Sequence, residues 1–489
     1  MQNGCHLITY PDSMGGNISA LREILSAHFA DALTGVHILP FYPSSADRGF
    51  APLEYAAVEP AFGSWEDMDG LRRDGLELTF DFMINHLSRQ SKQFQDFLTK
   101  GSNSVYRDFF IRFSQFWPGG EASDEDLAKI YTRKPRPPYL ELELGSGENE
   151  KVWCTFDEEQ IDLNLASPET RRFVEENLTA LCRRGAATIR LDAFAYASKQ
   201  PGSDCFFVEP DVWEILEWAA KTVEAAGGEV LPEIHEHYTI QQKLADRGYW
   251  VYDFALPMLL LQAIYDRDPS RLKHWFSICP RKQVTTLDTH DGIGVVDVRD
   301  LLSDEEIERT KNNLFTKGAN VKRIYNTPQY NNLDIYQVNC TYYSALGDDD
   351  AAYLLARAIQ FFAPGIPQVY YVGLLAGKND IELLEQTKNG RDINRHSYTE
   401  EEIRRELERP VVRRLRELMI FRSTHPAFEG DFNLTECEAH TLEIEWRNGN
   451  HRARIKADMR TGTYRIEASG PEEEGLIELS ALANDEFRL

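Results

Sequence analysis

Short apolar runs that end on polar or charged residues recur along the chain, separated by longer stretches in which apolar residues return every three or four positions. The first kind reads as strand, the second as amphipathic helix. His6-Leu7-Ile8-Thr9-Tyr10 is followed by a helical period from about Ile18 to Phe29, and then by Gly35-Val36-His37-Ile38-Leu39. Leu76 to Met83, Ala187 to Asp192, Glu229 to Glu233, Tyr249 to Tyr252, Gln283 to Leu287 and Ile366 to Tyr371 carry the series to eight strands. Helical stretches such as Pro168 to Arg183 and Val212 to Ala226 fill the gaps.

Strands alternating with helices pair in parallel. Eight such units close into an α/β fold, the (β/α)8 TIM barrel, with its working residues at the C-terminal ends of the strands. An open doubly wound sheet is the rival, but Tyr10-Pro11-Asp12-Ser13-Met14-Gly15-Gly16 after the first strand lacks the GxGxxG phosphate turn. Two intervals are too long and polar to be connections. The expected division is a barrel over 1–86, 166–291 and 351–430, subdomains inserted at 87–165 and 292–350, and a small β domain over 431–489. In the last of these, Thr441 to Trp446 and Tyr464 to Glu467 alternate with period two, and Asn448-Gly449 marks a hairpin turn. The stretch from Thr399 to Arg422 reads as one charged helix.

Composition narrows the class. The 489 residues carry a formal charge of -26, with 42% hydrophobic and 11% aromatic content. Such a chain buries a large core and offers no basic face to nucleic acid or an anionic membrane. No apolar run approaches the length of a membrane span. Seven cysteines without a CxxC or a secretory leader favour a reduced, cytoplasmic setting. A monomer or homodimer is expected.

Polar residues then gather at the predicted strand ends. Strand three delivers Asp81 and His86, strand four Arg190 and Asp192, strand five Glu233, and strand seven Asp288, His290 and Asp291, while strand two leads to Asp47. Asp81 and Asp288 lie earlier in their strands and read as structural; a histidine satisfied by backbone groups remains the plain reading of His86 and His290. A metal site is the functional rival, but HExxH is absent and His235-Glu236-His237 is an i, i+2 pair on a loop. Three carboxylates without metal ligands suit displacement at a sugar's anomeric carbon, where a retaining enzyme needs an ionised nucleophile and a protonated acid. Arg190 would hold Asp192 ionised, Glu233 has no cation adjacent in sequence and would keep its proton, and Asp291 would stabilise positive charge.

The segments Asp81 to His86, Ile189 to Tyr196, Leu231 to Tyr238 and Leu287 to Gly292 resemble the four conserved regions of the α-amylase family of glycoside hydrolases. Phe41-Tyr42-Pro43-Ser44, Tyr330 to Gln337, Pro364 to Tyr371 and Gly390 to His396 are similar to its phosphorylase subgroup, which transfers glucose from sucrose to inorganic phosphate. That resemblance implies Asp192 as nucleophile, Glu233 as acid/base and Asp291 as transition-state stabiliser. It implies that Asp47, His86, Arg190, His290 and Arg391 hold the glucosyl ring between the walls Phe156 and Tyr196. Asp334, Tyr336 and Gln337 would meet fructose on a mobile acceptor loop, and Arg133 would meet phosphate, with Lys134 and Arg136 as rivals. No cofactor or metal is implied. Related phosphorylases of sucrose 6-phosphate, glucosylglycerol or glucosylglycerate, an ordinary hydrolase, and a non-catalytic transporter partner are the alternatives.

Overall fold

The computed structural model describes residues 1–132, 136–319 and 337–470, and the backbone of 477–480. Eight short strands form its central sheet: β1 (His6–Thr9), β2 (Gly35–Ile38), β3 (Glu77–Met83), β4 (Ala186–Asp192), β5 (Glu229–Pro232), β6 (Val251–Asp253), β7 (Gln283–Thr285) and β8 (Ile366–Tyr370). They pair in the order β6-β7-β8-β1-β2-β3-β4-β5, every pairing parallel. Strands β5 and β6 lie in contact without a ladder, which leaves the barrel nearly closed. Helices cover the outside, so both faces of the strands are buried and their sequences read as apolar runs. One contiguous core joins the strands to helices such as Pro168–Arg183 and Asp350–Phe362.

Register, more than strand identity, sets up the chemistry. On β3 and β4, Asp81 stands opposite Arg190 and Met83 opposite Asp192; on β4 and β5, Arg190 stands opposite Leu231. Several expected boundaries move. Strand β5 stops at Pro232, whose missing N–H cannot extend a ladder, so Glu233 lies just past its end. Strand β7 stops at Thr285, and two residues beyond Thr286 the Asp288 side chain turns to Arg357 on the helix Asp350–Phe362. The single charged helix expected from Thr399 to Arg422 is two, Glu400–Leu407 and Pro410–Thr424, because Pro410 can begin a helix but cannot sit within one.

Between β3 and β4 the chain makes two antiparallel pairs, His86–Ser88 with Gln160–Asp162 and Tyr139–Glu143 with Asn149–Trp153. Phe113, Trp117 and Trp153 form a small core of their own there. The buried ammonium of Lys199 ties this segment to the barrel, 2.8 Å from Asp162 and 2.9 Å from the Asn85 side-chain oxygen. After β7, Ile293–Gly294 pairs with Gln337–Val338. At the C-terminal end a five-stranded antiparallel sheet packs on the barrel, where Trp446 donates its indole N–H to the Phe362 carbonyl. Gly449, at φ 56°, makes the Asn448-Gly449 turn between Thr441–Asn448 and His451–Asp458.

Candidate active site

The site grows from β3 and β4. Arg190 is buried and donates from one Nη1 to Asp81 at 2.5 Å and to Asp192 at 2.8 Å, while its Nη2 lies 3.6 Å from Glu233. His37 on β2 grips the other oxygen of Asp81 at 2.7 Å. Burial pushes Asp81 up, but His37 and Arg190 outweigh it and hold the carboxyl below its usual range. Asp81 therefore anchors Arg190, the structural role its position in the strand suggested.

Asp192 behaves differently from the expectation that Arg190 alone would keep it ionised. Burial raises its carboxyl well above the usual range, Arg190 pulls it down, and Glu233, Asp81 and Asp291 push it up again. One guanidinium faces three acids, so its pull is divided. The next residue, Ala193, sits in the left-handed region at φ 53°, uncommon for a residue with a side chain, and aims its N–H at Glu233 Oε2 from 3.0 Å. Local backbone strain thus orients the acid of the neighbouring strand.

His235, read from sequence only as part of a doubtful metal pair, lies among the acids. Its Nε2 is 3.4 Å from Glu233 and 4.0 Å from Asp291, and its Nδ1 is 3.6 Å from Asp297. Burial lowers the ring's pKa, but Asp297, Glu233 and Asp291 outweigh it and hold it above the ordinary histidine value. Asp291 pairs with Arg391 at 3.1 Å. Burial pushes Asp291 up, yet Arg391, His290, His235 and Arg395 hold it far below the usual range, so it is permanently anionic. Ligand atoms of Glu233, His235 and Asp291 lie within 4.8 Å of one another, close enough for a metal ion. Arg190 and Arg391 already supply the opposing charge at this cluster.

Other predicted residues take varied places. His290 is buried, stacks on Phe50 at 5.1 Å, and is driven well below its normal pKa by burial, with Arg190 and Arg395 opposing protonation. His86 is buried with its Nε2 2.8 Å from the Phe50 carbonyl, the backbone-satisfied arrangement, and its ring meets Phe156 edge-on at 5.6 Å. Phe156, Tyr196, Phe206 and Tyr131 continue as an edge-to-face chain at 5.0, 4.9 and 4.7 Å. Asp47 is exposed, in a turn where Asp47, Arg48 and Gly49 all have positive φ. A side chain at position 49 would run into the Pro40 carbonyl at 2.4 Å, so only glycine closes that turn. Gln337 accepts the Gly292 N–H at 3.3 Å and so braces the Asp291 turn. Arg136 turns inward to Cys154 at 3.4 Å. Arg133, Lys134, Asp334 and Tyr336 lie outside the described residues.

Sequence reasoning missed His235, Asp297, Asn394 and Arg395. Asn394 donates to the carbonyls of Thr289 and Asp291, and Arg395 to that of His290, which fixes the loop after β7. His235 lies in the Leu231 to Tyr238 segment at i, i+2 from Glu233, and Asn394 and Arg395 lie in the Gly390 to His396 segment, so the resemblance marks their neighbourhoods without their roles; nothing local marks Asp297.

The alpha amylase catalytic-domain family matches residues 32–254. The chain is 52% identical to a sucrose phosphorylase of Streptococcus mutans over 95% of this chain and 97% of that one. It is 43% identical to a glucosylglycerol phosphorylase of Marinobacter adhaerens over 95% of this chain and 96% of the other. A crystal structure of sucrose 6F-phosphate phosphorylase from Thermoanaerobacter thermosaccharolyticum superposes with a TM-score of 0.93, at 41% identity and 99% coverage of both chains. The chain therefore belongs to the alpha-amylase family of glycoside hydrolases, in the group formed by sucrose phosphorylase and the phosphorylases similar to it.

Proposed function

We propose that this protein transfers the glucosyl group of sucrose to inorganic phosphate with retention, giving α-D-glucose 1-phosphate and D-fructose. The observation that carries the reading is the single guanidinium of Arg190 held between Asp192 at 2.8 Å and Glu233 at 3.6 Å. Two carboxyl groups of adjacent strand ends thereby share one site, as a double displacement requires. We assign the nucleophile to Asp192, which Arg190 touches at 2.8 Å, and the acid to Glu233, whose contact with Arg190 is the longer at 3.6 Å.

Glu233 protonates the departing fructosyl oxygen while Asp192 attacks the anomeric carbon and forms a β-glucosyl ester. Asp291, ionised throughout, faces the positive charge that builds on the ring. Phosphate then attacks the ester and inverts the carbon a second time. Asp47, His86, Arg190, His290 and Arg391 are assigned to the glucosyl ring, with Phe156 and Tyr196 as its walls. Gln337, Asp334 and Tyr336 are assigned to the fructose side and Arg133 to phosphate, with Lys134 and Arg136 as the rival cations. A cytoplasmic location, suggested by seven unbridged cysteines, belongs to the same proposal.

The relatives that act on sucrose 6-phosphate or glucosylglycerol by name define the second reading. A carboxylate at position 334 repels a phosphorylated acceptor, which favours sucrose. The test is incubation with sucrose, sucrose 6-phosphate and glucosylglycerol, each with and without phosphate, assayed for glucose 1-phosphate and free glucose. Phosphate-dependent glucose 1-phosphate from sucrose at the highest kcat/KM is expected. Release from another donor at higher kcat/KM, or free glucose alone, overturns the proposal.

A further inference from the structure

Asp297 is 1% exposed and sits in the single turn Val296–Val298, four residues past the end of the loop that carries Asp291 to Gly292. A buried carboxylate is expensive unless something charged or polar answers it. Its answer is His235, whose Nδ1 lies 3.6 Å away. The opposite ring nitrogen points between Glu233 at 3.4 Å and Asp291 at 4.0 Å. The ring cannot swing aside, because Phe254 stacks on it at 3.8 Å with an interplanar angle of 19°. Space for the carboxylate depends on Gly294, where any side chain would come within 2.1 Å of Asp297 Oδ2.

We infer that Asp297 is a positioning residue for the acid/base step: it orients the His235 imidazolium, which lies against Glu233 and makes that carboxyl a stronger proton donor to the leaving sugar. A buried aspartate on one ring nitrogen fixes which way the other presents itself. Among the described residues, the charged groups that face His235 include Glu233 from the end of β5, Asp291 from the loop after β7, and Asp297. Arg190 and Arg391 stand one step further out, on Glu233 and Asp291. His235 moves no proton itself; the proton passes from Glu233 to the fructosyl oxygen, and the imidazolium offsets the carboxylate left behind.

The inference rests on Glu233 as the acid of sucrose cleavage, and the test separates the two. Wild type and Asp297→Asn are compared on sucrose, whose leaving oxygen needs a proton, and on α-D-glucosyl fluoride, whose leaving group needs little help, with phosphate present across about pH 5 to 9. In the variant, kcat/KM for sucrose is expected to fall about tenfold while that for the fluoride stays within about twofold. The alkaline limb with sucrose is expected to move to higher pH, since Glu233 becomes the weaker acid. Equal losses on both substrates, or an unmoved alkaline limb, overturn the inference. If wild type forms no glucose 1-phosphate from sucrose, the assigned reaction fails and the inference falls with it; if wild type does and the variant matches it, only the role of Asp297 falls. A measurement on the wild type covers a variant that does not fold: NMR titration of labelled histidine, with the resonance assigned by His235→Gln. His235 is expected to titrate above the ordinary value of about 6.5, and titration at or below it overturns the inference.

Discussion

Asp288 and Asp291 leave the same barrel strand three residues apart and end in opposite circumstances. Asp288 is sealed: Arg357 donates to it at 2.6 Å, and the same guanidinium is filled by the Tyr353 hydroxyl at 2.8 and 2.9 Å and the Gln360 side chain at 2.9 Å. Even position 373 must be glycine there, since a Cβ would come within 2.1 Å of Arg357 and 2.5 Å of Asp288. Asp291 is open, sharing a rim with Asp192, Glu233 and His235 where acids outnumber the guanidiniums beside them. The difference teaches that buried charge by itself marks neither role. Asp288 is matched by Arg357, whereas Asp192 and Glu233 divide Arg190 with Asp81 and stand in a local excess of negative charge.

Removing an acid from the open centre is expected to destroy turnover and spare stability. Asp192→Asn should lower kcat on the order of 10⁴-fold or more on every glucosyl donor, the usual scale for a deleted nucleophile. Its carboxyl is held above the usual range, so the folded state disfavours its charged form, and Arg190 keeps Asp81 as a partner at 2.5 Å. The melting temperature should therefore hold or rise. A fall in stability comparable to that of an Asp288 or Arg357 variant would erase the distinction between the two centres.

Glu233→Gln is the next largest effect and reads the division of labour within the open centre. Sucrose phosphorolysis should fall about 10² to 10⁴-fold, the range for loss of a positioned acid. Glucosyl fluoride with phosphate should lose much less, because phosphate arrives already anionic and needs little help from a base. Equal losses, measured as kcat/KM on the two donors, would contradict the assignment.

The sealed centre is expected to show the reverse pattern. Arg357→Met should cost about 3 to 5 kcal/mol of stability, the scale for stripping one partner from a buried pair, read from denaturant melts. The fraction still folded should keep its turnover of sucrose. A kcat that falls as steeply as stability would place Arg357 in the working network.

The sequence made this contrast half visible. Parallel strands with polar ends follow from the alternation of apolar runs and helical periods, and the fold class with them. Asp81 and Asp288 could be set aside as structural because they precede the strand ends. Asp192, Glu233 and Asp291 could be picked because they do not. What stayed hidden is electrostatic and long-range: that Arg190 serves three acids at once depends on the register of β3 against β4 and β5. His235 and Asp297 are 62 residues apart in numbering and meet through a 3.6 Å contact that no local pattern announces. The break at Pro410 is legible in the sequence, since a proline inside a helical period ends one helix and can begin the next.

The smallest effect separates the two kinds of buried acid by pH. Asp253 is another buried aspartate, accepting the Leu256 N–H at 2.9 Å and the Trp275 indole N–H at 3.0 Å, with no cation paired to it among the described residues. Burial pushes its carboxyl up to about 6. An acid whose folded pKa lies above its unfolded value near about 3.9 binds its proton more tightly when folded, so stability falls as pH rises between the two values and is flat above the higher. The loss across that window is about 3 kcal/mol by linkage. Asp253→Asn should abolish the slope. It should not raise stability at neutral pH by the same amount, because an amide offers one acceptor oxygen where the Leu256 N–H, the Trp275 indole and the Gln283 amide at 3.4 Å all donate to the carboxylate, and an unmet buried donor costs about 1 to 3 kcal/mol. The discriminating measurement is thus the slope of unfolding free energy between about pH 4 and 6, compared in wild type and variant. A slope that survives the substitution would assign it to the open centre, where Asp192 is likewise held above its usual range.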